Sequence, residues 1–138
     1  MIIVLDSNAF ISALIKDSTT RKIITGTKET LIIPEYFFQE VRNHKEEILL
    51  KSRLTEEDYH QLLYRLLQYI LIIPNEIMYP FKKQALEIIK EIDTDDVLFI
   101  ACALAFPHSI IWSDDKKLKN QNKIKILNTK EMIELLRK

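Results

Sequence analysis

The sequence predicts an α/β protein built on a parallel sheet that helices cover on both faces. Short, β-branched apolar runs alternate along the chain with segments of helical periodicity. No stretch rich in Pro, Gly or Ser divides the chain, and it contains no internal repeat or low-complexity tract. Strands that alternate with helices form parallel sheets, because each crossover helix returns the chain to the starting edge. We therefore expect a single domain over residues 1–138.

Five apolar runs are predicted to form the strands of this sheet. They cover residues 2–5, 31–33, 70–73, 109–112 and 124–127. Runs this brief and this apolar are typical of strands that are buried on both faces. Pro34 and Pro74 follow the second and third runs. They are expected to end these strands, since proline cannot donate a hydrogen bond within a sheet.

Helices are predicted between and after the strands. Apolar residues recur at helical spacing after Asp6, along residues 37–48 (Phe37, Val41, His44, Ile48), after Thr55, and along residues 77–92. Thr55 is followed by three acidic residues, a pattern typical of a capped helix start. Residues 97–106 are ten consecutive apolar residues and predict a helix that is buried all round. Residues 130–138 predict a final helix.

Composition excludes several classes of site. The 16.3 kDa chain has 20 Lys and Arg against 20 Asp and Glu, so no global positive field draws it to nucleic acid. A single glycine, Gly26, excludes glycine-rich phosphate loops. A single cysteine, Cys102, excludes an internal disulfide and a cysteine zinc site. Without a signal peptide or a membrane-length apolar run, the protein is expected in the cytoplasm and not in a membrane.

Acidic residues follow the predicted strands at the edge where α/β proteins bind ligands. Asp6 directly follows the first strand, and Asp114 and Asp115 follow the fourth. Glu40 lies about two turns into the helix after the second strand, and the buried helix begins beside Asp93, Asp95 and Asp96. Four separate segments thus bring carboxylates to one edge of the sheet.

Converging carboxylates predict a cation. Two carboxylates about 4 Å apart repel by roughly 4 kcal/mol at the dielectric of a protein surface. Several of them therefore need a bound cation, or some must take up protons. Oxygen ligands without Cys or His favour Mg²⁺ or Mn²⁺ over Zn²⁺. Carboxylate-held ions of this kind support hydrolysis of phosphodiesters, which is the chemistry that this pattern favours.

Each acid also has a purely structural interpretation. Asp6 could cap the first helix, and Asp114 and Asp115 could cap the turn that follows them. Asp95 and Asp96 could complement the dipole of the buried helix. Glu40 could be a solvated helical residue. The functional interpretation depends on the joint placement of these residues and not on any one of them.

Four segments together resemble the PIN-domain family over essentially the whole chain. They are residues 4–8 (Val-Leu-Asp-Ser-Asn), 34–41 (Pro-Glu-Tyr-Phe-Phe-Gln-Glu-Val), 95–104 (Asp-Asp-Val-Leu-Phe-Ile-Ala-Cys-Ala-Leu) and 111–118 (Ile-Trp-Ser-Asp-Asp-Lys-Lys-Leu). The resemblance implies a three-layer α/β/α sandwich with a central, mostly parallel five-stranded sheet. It also implies an acidic Mg²⁺ or Mn²⁺ site with endoribonuclease activity, most often in the toxin of a VapBC-type toxin–antitoxin pair.

The resemblance assigns roles to individual residues. Asp6, Glu40, Asp96 and Asp115 match the acids of the family as catalytic residues and metal ligands. Asp95 and Asp114 are alternatives to their neighbours, because adjacent acids leave the register open by one residue. Ser7, Asn8 and Ser113 match polar residues that support the acids. The turn after the buried helix, which often carries glycine in the family, is Pro107-His108 here.

Substrate and partner contacts are expected near these acids. Lys116, Lys117 and Lys119 follow Asp115 closely and are candidate contacts for RNA phosphates. A cognate antitoxin would place an amphipathic segment in a groove near the site. Apolar residues at Tyr36, Phe38 and Leu49-Leu50 could serve such a partner or a homodimer, or could belong to the internal packing.

Three other interpretations remain open from the sequence. One is a stand-alone RNA-processing nuclease of the same family. Another is a non-catalytic PIN-like module that binds RNA or protein, although all four acid positions are filled here. The third is a different acid-rich α/β protein, such as a receiver domain or an aspartate-dependent phosphatase. Asp6-Ser7-Asn8 lacks the second Asp of the phosphatase motif.

Overall fold

The structure, a computed structural model, describes residues 1–92 and 96–137. The strands are β1 (Ile2–Leu5), β2 (Thr30–Pro34), β3 (Ile70–Ile73), β4 (Ile110–Trp112) and β5 (Lys125–Leu127). They form one sheet in the order β3-β2-β1-β4-β5, and every pair is parallel. The predicted five-stranded α/β fold is confirmed. Asp93, Asp95 and the predicted helix end at Lys138 lie outside the described residues.

Helices connect these strands. They are α1 (Ser7–Ile15), α2 (Thr19–Gly26), α3 (Phe37–Asn43), α4 (Lys45–Ser52), α5 (Glu56–Leu67), α6 (Asn75–Met78), α7 (Lys82–Ile89), α8 (Val97–Ala105) and α9 (Thr129–Leu136). Short 3-10 turns cover Tyr79–Phe81 and Lys116–Asn120. None of the helices in the described part of the chain has the length and apolar character that crossing a membrane requires.

The order of the strands distributes the helices over both faces of the sheet. Crossovers between parallel strands are right-handed, so the steps from β1 to β2 to β3 place α1–α5 on one face. The step from β3 back to β4 runs the other way and places α6–α8 on the opposite face. The contacts agree, because α1 packs against α2–α5, whereas α8 packs against α6, α7, β1, β2 and β4. The molecule is a three-layer sandwich, as predicted.

The core lies where the two helical layers meet the central strands. Ile3, Val4 and Leu5 of β1 are fully buried, as are Ile111 and Trp112 of β4. Burying a side chain of this size contributes roughly 1.5–3 kcal/mol. This apolar framework fixes the carboxyl ends of β1 and β4, from which the polar residues of the site emerge.

Two predicted helices are interrupted. The helix predicted along residues 37–48 is divided into α3 and α4 at His44. The φ and ψ of His44, −100° and 8°, are not helical, so its side chain does not lie on the same face as Phe37 and Val41. His44 is therefore exposed, with its ring near the Glu47 carboxylate at 3.5 Å. In the second case Pro80 has no N–H for a helical bond, so a 3-10 turn separates α6 from α7.

Helix α2 is absent from the sequence prediction. Its sequence, Thr-Thr-Arg-Lys-Ile-Ile-Thr-Gly, is rich in β-branched residues with weak helix propensity. Only Thr20 and Ile24 are buried, one turn apart. The Arg21 side chain donates a hydrogen bond to the Ala13 carbonyl at 2.9 Å, which ties α2 to α1. Tertiary contacts, and not local propensity, account for this helix.

Candidate active site

The candidate site lies where the chain changes direction across the sheet. From β1 the chain continues to β2 on one side, whereas β4 and β5 lie on the other. Leu5 pairs with Trp112, and the Asp6 amide donates a hydrogen bond to the Trp112 carbonyl at 3.2 Å. The residues that follow β1 and β4 are therefore neighbours, at the position where open α/β sheets form their binding crevice.

Asp6 is a buried carboxylate at this position, with 4% of its surface exposed. One of its oxygens accepts the Ala9 N–H at 2.8 Å, so the residue caps α1, as the structural interpretation proposed. Burial raises its pKa to about 6, and the charges of Asp114 and Glu40 add to this rise, while the Ser113 hydroxyl and the Ala9 amide oppose it. Capping of α1 alone does not explain why a carboxylate occupies this position, because burial makes its negative charge unfavourable in the folded protein.

Glu40 is brought to Asp6 by α3. The buried Ser7 hydroxyl, next to Asp6 in the sequence, donates a hydrogen bond to Glu40 Oε1 at 2.9 Å. This bond joins residues that are 33 positions apart and fixes the start of α1 against α3. Ser7 thus has the supporting position that the sequence predicts, and Glu40 belongs to the same electrostatic environment as Asp6. Asn8, the other predicted support, is exposed on the first turn of α1.

The loop after β4 places Ser113 and Asp114 beside Asp6, and Asp115 follows them. Ser113 is buried, and its Oγ accepts the Asp115 N–H at 3.1 Å. Asp115 in turn caps the following 3-10 turn, with Oδ1 accepting the Lys117 N–H at 3.0 Å. Asp115 therefore caps the turn, as the structural interpretation proposed, and Ser113 is joined to it in one short hydrogen-bonded loop.

Asp114 is held by the last helix. Its Oδ1 accepts the Thr129 N–H at 2.7 Å, and its Oδ2 accepts the Thr129 hydroxyl at 2.8 Å. The same hydroxyl accepts the indole N–H of the buried Trp112 at 2.9 Å. Both Asp114 oxygens thus bind Thr129, while Asp115 Oδ1 accepts the Lys117 N–H. Asp114 is also the acid of this pair whose charge acts on Asp6, so the choice of Asp115 over Asp114 as the ligand stays a prediction.

Thr129 is a residue that the sequence analysis missed. It follows β5 at the same edge of the sheet, so the strand-end rule that identified Asp6 also applies to it. Thr129 is a neutral residue outside the four segments that resemble the family, so neither charge nor resemblance indicated it. Thr129 is important because its hydroxyl oxygen forms hydrogen bonds with both the indole N–H of the buried Trp112 and the Asp114 carboxylate.

Replacing Thr129 with Val is expected to destabilise the protein by about 1–3 kcal/mol, because the buried indole N–H of Trp112 loses its acceptor. Thr129→Ser keeps the hydroxyl and is the matched control, with an expected change below about 0.5 kcal/mol. Urea unfolding of the two variants measures the difference. Equal stability of the Val and Ser variants would show that the Trp112–Thr129–Asp114 contacts do not hold this loop.

Asp96 lies at the start of α8. Because α8 precedes β4, its first residues lie at the same edge of the sheet as Asp6 and Asp115. Asp96 is half-buried and adjoins the helix without a side-chain capping bond. Asp95, the alternative in the predicted register, is outside the described residues.

The described carboxylates are ligands of the type that a hard divalent cation prefers, but they do not form one compact cluster. Within residues 1–92 and 96–137, no three His, Cys, Asp or Glu side chains form a group compact enough to hold a metal ion. The buried Asp6, with two neighbouring carboxylates in its field, nevertheless has the uncompensated negative charge that a cation would neutralise. All the donors are carboxylate or hydroxyl oxygens, which suit Mg²⁺ or Mn²⁺.

Comparison with known proteins identifies the family. The profile of the PIN domain matches residues 4–136, almost the entire chain. The chain belongs to the PIN-domain family. A search of curated proteins found no match.

A solved structure has the same fold as this PIN domain. It is the crystal structure of VapBC2 from Rickettsia felis bound to a DNA fragment from their promoter. One of its chains aligns with a TM-score of 0.69 and 16% sequence identity, over 93% of this PIN domain and 98% of that chain. At this identity the likeness establishes the fold.

A cleft of about 550 Å³ opens beside the acids of this PIN domain. It is lined by Ser113, Asp114, Asp115, Lys116, Lys119 and Asn128. The three lysines predicted to contact substrate, Lys116, Lys117 and Lys119, are exposed. Lys119 also pairs with the Glu131 carboxylate, which lowers the pKa of that acid. The cleft therefore joins an acidic wall to a basic one.

The apolar residues proposed for a partner belong mainly to the packing. Phe38 stacks on the buried Phe37 with ring centroids 4.2 Å apart, and Leu49 packs against the core. Tyr36 is half-buried. Leu50 differs from these residues, because 80% of its surface is exposed.

Proposed function

We propose that this PIN domain is a Mg²⁺- or Mn²⁺-dependent endoribonuclease and the toxin of a VapBC-type toxin–antitoxin pair. The observation that carries the proposal is the buried Asp6 at the switch point of the sheet, with Glu40 and Asp114 in its field. A buried carboxylate whose charge is disfavoured by folding is typical of a functional site. Membership of the PIN-domain family supports a nuclease reaction, and the oxygen ligands support Mg²⁺ or Mn²⁺ as the metal.

Four acids are proposed as catalytic residues and metal ligands. Asp6, Asp96 and Asp115 would hold the cation, and Glu40 would position the attacking water, with Asp95 and Asp114 as alternatives to their neighbours. When bound, the cation neutralises the carboxylates, activates water and stabilises negative charge on the phosphate. Ser7 donates to Glu40, and Ser113 lies beside Asp6, so both orient the acids in the way that supporting residues orient metal ligands.

The proposed reaction is hydrolysis of an RNA phosphodiester. Water adds to phosphorus in line with the bond to the 3′-oxygen, that bond breaks, and the 3′-oxygen takes up a proton. The products carry a 5′-phosphate and a 3′-hydroxyl. Glu40, whose Oε1 is oriented by the Ser7 hydroxyl, would accept a proton from the water. Lys116, with Lys117 and Lys119, would contact the phosphates beside the cleaved bond.

A cognate antitoxin is the proposed partner. Support comes from the fold shared with a chain of VapBC2, a complex bound to promoter DNA. The exposed Leu50 on α4 is an apolar residue that an antitoxin or a homodimer could contact. We propose that the enzyme acts on RNA in the cytoplasm.

An RNA cleavage assay tests the proposal. Purified protein is incubated with labelled single-stranded RNA in the presence of Mg²⁺, Mn²⁺ or EDTA, and the product ends are identified. We expect cleavage with either metal and none in EDTA, with 5′-phosphate ends. RNA binding without cleavage would instead support a non-catalytic module. Cleavage by a protein that does not arrest growth when expressed would support a stand-alone processing enzyme.

A further inference from the structure

We propose that a basic path leads from the acidic site over the β5 edge of the sheet and holds the phosphate backbone of RNA beyond the cleaved bond. The path consists of Lys116, Lys119, Lys123 and Lys125. This inference rests on the proposed ribonuclease activity and specifies where its substrate continues. It adds Lys123 and Lys125 to the lysines considered above.

The charge of this segment is unusual for the chain. Residues 116–130 contain six lysines and no Asp or Glu, although the whole chain has a net charge of zero. All six lysines are exposed. Lys116, Lys117, Lys123 and Lys130 make no ion pair with any carboxylate that the structure describes. A local positive field of this kind attracts polyanions even when the protein is neutral overall.

Two clefts make the path continuous. The cleft beside the acids includes Lys116 and Lys119, and a second cleft, of about 500 Å³, includes Lys119, Lys123 and Lys125. Lys119 lines both and connects them. Lys125 pairs with Ile110 at the start of β4, whereas the acids follow the end of that strand. The path therefore runs along the edge strand β5, from the carboxyl ends of the strands towards their amino ends.

Protection of an edge strand does not explain the path. Lysine on an edge strand prevents pairing with other chains, and Lys125 lies on the edge strand β5. The opposite edge strand, β3, has the sequence Ile-Leu-Ile-Ile and carries no charge. Lys116, Lys119 and Lys123 lie in the turns before β5, outside any strand. Guarding an edge would not require them.

RNA fits this surface better than an acidic protein segment. The path ends at Asp114 and Asp115, which would repel an acidic peptide that continued towards the site. An RNA substrate would use both the lysines and the acids. Its phosphates would bind the lysines along the path, and the bond to be cleaved would lie at the acids. Phosphate contacts by lysines position a strand without reading its sequence.

Glu131 is the acid that faces the path. It pairs with Lys119 and lies close enough to Lys125 for that charge to contribute to its lowered pKa. It also accepts the Asn128 N–H at 3.0 Å, a bond that a Gln at the same position can accept. Glu131→Gln should therefore release Lys119 for RNA without loss of the helix cap.

The test compares two double variants with equal change in charge. Lys123→Gln with Lys125→Gln removes the far half of the path. Lys22→Gln with Lys28→Gln is the control, because both lysines are exposed and line a separate cleft with Met1 and Leu136. Binding of labelled single-stranded RNA is measured in EDTA over a range of salt, and cleavage kinetics are measured with Mg²⁺.

Loss of the path should weaken binding about tenfold and reduce the slope of log Kd against log salt by about 1.4, at roughly 0.7 for each lost phosphate contact. KM should rise by a similar factor while kcat is unchanged, since the lost contacts lie away from the cleaved bond. The control should change Kd less than about twofold. Glu131→Gln should tighten binding.

The outcomes separate this inference from the proposed function. If the wild type binds and cleaves RNA but the two double variants behave alike, the path is wrong and the ribonuclease stands. If the path variant weakens binding of a protein partner and not of RNA, the surface serves that partner and the inference fails. If the wild type neither binds nor cleaves RNA, both proposals fail.

Discussion

Asp6→Asn is expected to abolish RNA cleavage and at the same time to stabilise the protein in the absence of metal. Asn keeps the size of the side chain, and its amide oxygen can still accept the Ala9 N–H that caps α1. It lacks the negative charge that a cation requires. We expect at least about a thousandfold loss of activity, because a metal ion contributes several kcal/mol to the stability of the transition state.

The gain in stability follows from the burial of the charge. Burial raises the pKa of Asp6 from 3.8 to about 6, so at pH 8 the folded protein holds an ion that the unfolded chain holds at lower cost. The penalty is up to about 3 kcal/mol, at 1.36 kcal/mol for each pKa unit. Asn removes it, since the side chain is neutral in both states.

Urea unfolding in EDTA at pH 8 measures this effect. Asp58→Asn is the control, because Asp58 is an exposed acid on α5 and its loss changes the net charge equally. We expect Asp6→Asn to raise the free energy of unfolding by about 1–3 kcal/mol and Asp58→Asn to lower it by less than about 1 kcal/mol, because Asp58 lies in the first turn of α5 and favours the helix dipole. A destabilised Asp6→Asn variant would show that the charge at this position supports the fold, contrary to its assignment to a metal site.

The period of the apolar residues was sufficient to predict the sheet and most of the helices. All five strands lie where the short apolar runs predicted them, and β1, β2 and β4 are buried along most of their length, whereas the edge strands β3 and β5 expose Leu71 and Lys125. Helix boundaries were harder to predict. The apolar periodicity predicted one continuous helix over residues 37–48, although the backbone leaves the helical conformation at His44 and α4 starts after it. Helix α2 had no apolar stripe and depends on contacts such as that of Arg21 with Ala13.

The strand-end rule predicted the neighbourhood of the site but not its internal contacts. It placed Asp6 next to Ser113 and Asp114, because Leu5 and Trp112 pair in the sheet. It could not distinguish Asp114 from Asp115, since both are acids that follow the same strand. The structure shows a different environment for Asp114, because Thr129 binds both of its oxygens from 15 positions further along the chain. The contact of Ser7 with Glu40 likewise depends on the packing of α1 against α3.

The stability of the protein without metal is expected to fall as pH rises from 5 to 7. A carboxyl group with a raised folded pKa contributes stability that is fully present below its unfolded pKa and is lost as pH rises through its folded pKa. For Asp6 these values are 3.8 and about 6, so the loss extends across pH 4 to 7. Between pH 5 and 7 it amounts to about 1 kcal/mol.

This window isolates Asp6 from the other shifted carboxyl groups. Glu47, Glu56 and Glu131 have pKa values lowered from 4.5, chiefly by hydrogen bonds to Lys51, Lys45 and Lys119 respectively. Their contributions have the opposite sign and are lost as pH falls below 4.5. Above pH 5 they are constant, so the slope of stability against pH should vanish in Asp6→Asn and persist in Asp58→Asn.

Magnesium should reverse the dependence on pH, because the cation binds the ionised carboxylate and competes with its proton. At pH 8, saturating Mg²⁺ is expected to raise the Tm of the wild type, and this increase should fade as pH drops below 6, where the apparent Kd rises about tenfold for each pH unit. Thermal unfolding with Mg²⁺ and with EDTA at pH 5, 6, 7 and 8 measures both effects. An increase in Tm that is equal at pH 5 and pH 8 would place the cation on groups other than Asp6. An increase that disappears as Asp6 is protonated, and is absent from Asp6→Asn, would assign the cation to this carboxylate.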